Sequence, residues 1–231
     1  MSSGNVSVVL AHGAWADGSS WSKVIDRLNG RGIDAVAAPL PLTSLGDDMA
    51  ALDRTLERIE GPVVLAGHAY AGAVIGSIRS DRVAALVYVA ALAPDEGETV
   101  GDMFYRGEMH PQAPQLAPDR HGLIWLPQDA FAAAFAQDGT QQELTVLAAV
   151  QRPIAVSCIG EAVGRPLWRD RPSWFLIAGQ DRMIDPDTQR FMARRMNARV
   201  HASEADHTPM VTAPDAVTGV IFEAVQSVSS R

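Results

Sequence analysis

The stretch Val63-Val64-Leu65-Ala66-Gly67-His68-Ala69-Tyr70-Ala71-Gly72 decides how the chain is read. Apolar residues that suit a strand run into Gly67, and after a tight turn a pattern rich in small residues suits a helix over 70–78. A strand-to-helix turn of the form G-x-S-x-G lifts one side chain above a sheet, while small neighbours let the backbone pass closely. Gly67 and Ala71 occupy the small positions, Gly72 keeps the helix near the sheet, and Ala69 stands where the exposed nucleophile belongs. The layout is there; its serine is not.

Working outward, the β-branched run over 6–11 predicts a first strand, ending at His12-Gly13. Ser19 and Ser20 offer an N-cap for a helix carrying Trp21, Val24, Ile25 and Leu28. A second strand is expected over 33–38, followed by a helix opened by Asp47 and Asp48 that bears Met49, Leu52, Leu56 and Ile59. The apolar run over 84–92 predicts a fourth strand. Runs apolar on both faces imply strands covered on both sides, so the expected class is α/β, a mostly parallel sheet with helices on both faces. The alternation stops at Pro94 and resumes with a strand over 174–178, a helix over 186–196, a short strand near 198–201 and a last helix over 214–225. Between them, 94–171 has no buried strand pattern. Its Trp125, Leu126 and Phe131 and the helical stretches near Phe135 and over 143–150 give it apolar faces, so it reads as a mainly helical lid inserted into a single core made of 1–93 and 172–231.

Composition narrows the function classes. A chain of 231 residues with 47% hydrophobic and 20% charged residues can bury a core as one domain. Twenty-seven Asp and Glu against 19 Lys and Arg give a net charge of -8, which argues against nucleic acid or an anionic membrane as the partner. The single cysteine, Cys158, forms no internal disulfide and suits a small buried or lid position. With no signal-like N-terminus and no apolar run of membrane-spanning length, a cytoplasmic protein is expected. His110, His121 and His201 show no metal-ligand spacing, and the phosphate-cradling glycine patterns are missing, so neither metal nor nucleotide cofactor is expected. The expected partner is a small-molecule substrate, with a homodimer left open.

Two further pieces follow the turn in the order nucleophile, acid, base. Trp174-Phe175-Leu176-Ile177-Ala178-Gly179-Gln180-Asp181 ends a strand on an acid, and Asp206-His207-Thr208-Pro209-Met210 puts a histidine before the last helix. With His12-Gly13-Ala14-Trp15 and Ala90-Ala91-Leu92-Ala93-Pro94-Asp95, these motifs make nearly the whole chain resemble the α/β-hydrolase superfamily, in its small esterase and hydroxynitrile-lyase-like branch. The resemblance implies a pocket between lid and sheet, His207 as base, Asp181 as the acid that orients it, and the N–H groups of Ala14 and Tyr70 as oxyanion donors. Asp95 and Asp185 are alternative acids. Trp15, Tyr70, His68 and Trp125 are the expected pocket residues, although His12 and His68 suit structural roles better than catalytic ones.

Ala69 departs from that pattern, because a methyl group can neither attack a carbonyl nor pass a proton, so acyl-enzyme hydrolysis should be nearly absent. Two accounts of it stand open: a serine replaced to silence the enzyme, or a native alanine leaving a His207–Asp181 pair for lyase or other base-catalysed chemistry. The target of either is a small, largely apolar ester or carbonyl compound. A silent member of the fold that binds a small ligand is the third reading.

Overall fold

The apolar runs become strands of one sheet in the computed structural model, which describes residues 6–230. In chain order the core holds β1 (Ser7–Ala11), α1 (Ser22–Asn29), β2 (Ala35–Ala38), α2 (Leu45–Glu57), β3 (Val63–His68), α3 (Ala71–Ser77) and β4 (Val83–Val89). The segment 94–171 follows with α4 (Val100–Phe104), β5 (Leu123–Ile124), α5 (Gln141–Val150), β6 (Ile154–Ala155) and α6 (Val156–Gly160). The core then closes with β7 (Ser173–Ala178), α7 (Pro186–Arg195), β8 (Arg199–Ser203), α8 (Pro209–Thr212) and α9 (Pro214–Ser229).

The main sheet has six strands in the order β2-β1-β3-β4-β7-β8, and every pairing in it is parallel. All residues of β3 and β7 are buried. Since successive side chains point to opposite faces, both faces of these strands are covered. Helix α9 packs on β3, β4 and β7 and on α1, while α2 packs on α3.

Local chemistry sets the boundaries. Helix α2 starts earlier than the acid pair suggests, because the Ser44 side chain caps it by accepting the Asp47 N–H at 3.0 Å. Ahead of α1, Asp17 rather than Ser19 or Ser20 is the cap: its carboxyl accepts the Ser19 N–H at 2.8 Å and starts a short 3-10 turn, Gly18–Trp21. Strand β4 ends sooner than its apolar run, since Ala90 adopts φ 44° and the Leu92 N–H turns to the Ala69 carbonyl at 2.9 Å. The segment 94–171 contributes no strand to the main sheet; β5 pairs with β6 and bridges through Ile124 to Pro118, and two residues each are too short to show a period. Its Phe131 and Phe135 sit on a π-helical turn and join the same buried cluster as the sheet.

Candidate functional site

The turn after β3 is built by close approach. A Cβ on Gly67 would lie 2.8 Å from the Ala71 carbonyl oxygen, and one on Gly72 only 2.3 Å from that of Leu92, so neither position admits a side chain. Between them Ala69 takes φ 48°, a left-handed conformation that a β-carbon disfavours, and it holds there because its carbonyl accepts N–H groups from Gly72 at 3.0 Å and Leu92 at 2.9 Å. The loop after β1 meets this turn: a Cβ on Gly13 would come within 2.9 Å of the Ala69 methyl. His12 is locked as a spacer, donating from Nδ1 to the Gly13 carbonyl at 3.0 Å and accepting the Leu40 N–H at Nε2 at 3.2 Å. Burial pushes its pKa below the usual range.

Asp181 and His207 come together as the chain order suggests. His207 Nδ1 lies 2.9 Å from Asp181 Oδ2, and both residues are buried. Asp181 is held by three more donors, the N–H groups of Met183 at 2.8 Å and Ile184 at 2.9 Å and the Gln189 amide at 2.8 Å. An acceptor ringed by donors receives the Nδ1 proton, which leaves Nε2 as the lone-pair atom; Nε2 makes no hydrogen bond among the described residues. The alternative acids are occupied elsewhere: Asp95 pairs with Arg169 at 2.7 Å, and Asp185 accepts the Asp187 N–H at 3.1 Å at the start of α7.

A cavity of about 50 Å³ lies over this turn. From the core it is lined by Ala14, Trp15, Ala69, Tyr70, Ile184 and His207, and from the segment by Val100, Phe104, Leu116, Ile124, Ile154 and Ile159. Neither Ala14 nor Tyr70 has an acceptor for its backbone N–H among the described residues. Trp15, also at positive φ (57°), spans the two sides by donating its indole N–H to the Ile124 carbonyl at 2.9 Å.

Two expected pocket residues lie elsewhere. His68 sits behind the cavity wall: its Nε2 donates to the His207 carbonyl at 2.7 Å, and its ring lies 4.8 Å from that of His207. Burial first, then the neighbouring His207, hold its pKa well below the ordinary value, so it stays neutral beside the dyad. Trp125 is 48% exposed and donates to Asp119 at 3.3 Å, because its neighbours Ile124 and Leu126 are the ones turned inward. Sequence reasoning missed Phe135, whose ring packs 5.4 Å from that of His207, and Asp48, a buried acid bonded to the Tyr70 hydroxyl at 2.7 Å. Asp48 had a signal: it falls in the buried stripe Leu45, Asp48, Leu52, Thr55 at helical spacing.

A model of the alpha/beta hydrolase family matches residues 8–220. The chain belongs to the alpha/beta hydrolase family. No curated protein sequence matches it. Among solved structures, this alpha/beta hydrolase is similar to a pyrethroid hydrolase from Sphingobium faniae, at 20% identity and TM-score 0.82 over 98% of this chain and 100% of that one. It is also similar to polyneuridine aldehyde esterase, at 17% identity and TM-score 0.78 over 95% and 98% of the two chains. A histidine-to-alanine variant of tomato methylketone synthase I, complexed with beta-ketoheptanoate, matches at 14% identity and TM-score 0.82 over 97% and 99%. The described residues therefore form the alpha/beta hydrolase fold. No helix among the described residues is long and apolar enough to cross a membrane, and no three His, Cys, Asp or Glu residues gather as metal ligands would.

Proposed function

We propose that this alpha/beta hydrolase takes a small, largely apolar ester or carbonyl compound into the cavity and acts on it by general-base catalysis from His207, with no covalent intermediate. The observation that carries the reading is His207 itself: Asp181 engages Nδ1, Nε2 has no partner among the described residues, and the neighbour at the turn is the Ala69 methyl rather than a hydroxyl. With no side-chain nucleophile to activate and an apolar cavity around it, the base can take its proton from the substrate directly. In the simplest step Nε2 removes a proton from the carbon next to the carbonyl, and the electron pair moves onto the carbonyl oxygen. The unpaired N–H groups of Ala14 and Tyr70 receive that oxygen, and Asp181 steadies the imidazolium that forms. The segment 94–171 acts as the lid, keeping water from the base and giving the apolar part of the substrate its contacts. The neighbours include enzymes named for esters and a ketone synthase with a keto acid bound, which supports a carbonyl group as the common target.

Proton exchange tests this without knowledge of the natural substrate. In deuterated water, small apolar β-keto esters should lose their α-proton signal by NMR faster with the protein than without it, and His207→Ala should return the rate to the uncatalysed value. Equal rates in the two proteins would sink the proposal. Ala69→Ser probes the frame separately: it should switch on p-nitrophenyl ester cleavage and fluorophosphonate labelling, and a variant inert to both would mean that dyad and turn are not aligned for carbonyl chemistry.

A further inference from the structure

Away from the dyad, one buried acid collects donors from three parts of the chain. Asp48 Oδ1 accepts the Leu42 N–H at 2.7 Å, while Oδ2 accepts the Tyr70 hydroxyl at 2.7 Å and faces the Cys158 thiol at 3.8 Å. These partners are structurally distant in the chain: Leu42 precedes α2, Tyr70 follows the turn residue Ala69, and Cys158 belongs to α6 of the segment. The join is tightened around Leu42, which takes φ 61° and accepts the Ala155 N–H at 3.0 Å, and around Thr43, whose carbonyl accepts the Ser157 hydroxyl at 2.7 Å. No Lys or Arg pairs with Asp48 among the described residues. Burial raises the pKa of the Asp48 carboxyl and of the Tyr70 phenol, and it pushes the Cys158 thiol up to about 12, so both donors keep their protons. An acid buried without a cation is a costly feature, and full satisfaction by donors fixes one arrangement of them.

We propose that Asp48 is a positioning residue: by holding the Tyr70 phenol it sets the Tyr70 backbone N–H at the oxyanion site, and by the same contacts it fastens the 154–158 stretch over the cavity. This rests on the reading of the Tyr70 N–H as an oxyanion donor, so the test has two arms. In the Ala69→Ser chain with p-nitrophenyl acetate, Tyr70→Phe and Asp48→Ala should each lower kcat about tenfold, short of the ~10²–10³ lost when an oxyanion donor is removed outright, with KM within about twofold. The double variant should be no worse than either single one. Asp48→Asn, which keeps an acceptor oxygen, should recover most of the rate. In the unsubstituted chain, Asp48→Ala should speed hydrogen exchange in peptides covering 68–76 and 154–160 and leave 173–178 unchanged. Unchanged kcat in Tyr70→Phe overturns the proposal, as does a lower melting temperature with kcat and exchange intact. If the Ala69→Ser chain cleaves nothing, the catalytic reading falls by itself, and exchange alone decides whether Asp48 anchors the two stretches.

Discussion

The cavity has two walls of different make. The core wall carries the imidazole of His207, the N–H groups of Ala14 and Tyr70, which have no acceptor among the described residues, and two residues at positive φ, Trp15 and Ala69. The segment wall offers Val100, Phe104, Leu116 and three isoleucines, with Tyr105 exposed at its edge. Strain and polarity sit on one side and apolar surface on the other. Such a division lets the core fix the chemistry while the segment sets which apolar groups fit, the arrangement expected when function is grafted on a rigid sheet by variable connections.

The largest effect that would break this division concerns Asp181. In the Ala69→Ser chain, Asp181→Asn keeps the shape but offers His207 Nδ1 a competing donor, and kcat for p-nitrophenyl acetate should fall about 10³–10⁴-fold, as in proteases whose triad acid is replaced. A fall under about tenfold would mean that the core wall's chemistry does not run through the dyad.

Glycines packed behind the two walls give the next contrast, in stability. On the core side Gly72→Ala drives a methyl to 2.3 Å from the Leu92 carbonyl oxygen, a backbone atom that cannot step aside. It should cost about 1–3 kcal/mol or more, read as a drop in melting temperature by calorimetry. On the segment side Gly101→Ala, within helix α4, meets nothing nearer than the Ile159 methyl at 3.3 Å, with the Ile159 carbonyl oxygen at 3.5 Å. There the gain in helix propensity of roughly 0.5–1 kcal/mol opposes a small steric shift, so the melting temperature should move little. Equal losses would show that the segment is packed as tightly as the turn.

The same two walls divide what the sequence makes legible. On the core side the strands that carry the site announce themselves locally: an apolar run leads into His12-Gly13 after β1, into Gly67 at the end of β3 and into Gly179-Gln180-Asp181 after β7. Asp181 and His207 could be paired at a separation of 26 residues because strand ends in a parallel sheet converge on one edge. Asp48 was hidden because an acid in a first helical turn already has a sufficient local reason, favourable interaction with the helix dipole, and Asp47 beside it does serve that role. What separates the two is the face of α2, visible only when Asp48 is counted within the buried stripe. On the segment side only the ten-residue helix α5, expected over 143–150, shows through; the two-residue strands and five-residue helices around it are shorter than the patterns that would reveal them.

A smaller effect sharpens the segment's part. Ile159→Ala removes apolar contact from the wall facing the substrate without touching the dyad. For p-nitrophenyl butyrate in the Ala69→Ser chain, KM should rise by roughly fivefold, the equivalent of about 1 kcal/mol of lost burial, with kcat nearly constant. The acetate ester, too short to use the contact, should be less affected. A fall in kcat with unchanged KM would place Ile159 in the positioning of His207 instead.

The smallest effect is expected at Trp125, where aromatic character suggests a pocket residue and geometry says otherwise. Buried Ile124 and Leu126 flank it, and alternation along an extended stretch turns the intervening ring outward, where its N–H reaches Asp119 at 3.3 Å. Trp125→Ala should therefore leave kcat and KM within about twofold, the range of surface substitutions that break no special contact. Loss of Trp125 fluorescence would report the substitution directly, and the melting temperature would show whether the Asp119 contact matters to the fold. A rise of about tenfold in KM would mean that the ring turns inward when substrate enters. The segment wall would then be remodelled by binding rather than preformed, and the contrast between a working core wall and a passive apolar one would not hold.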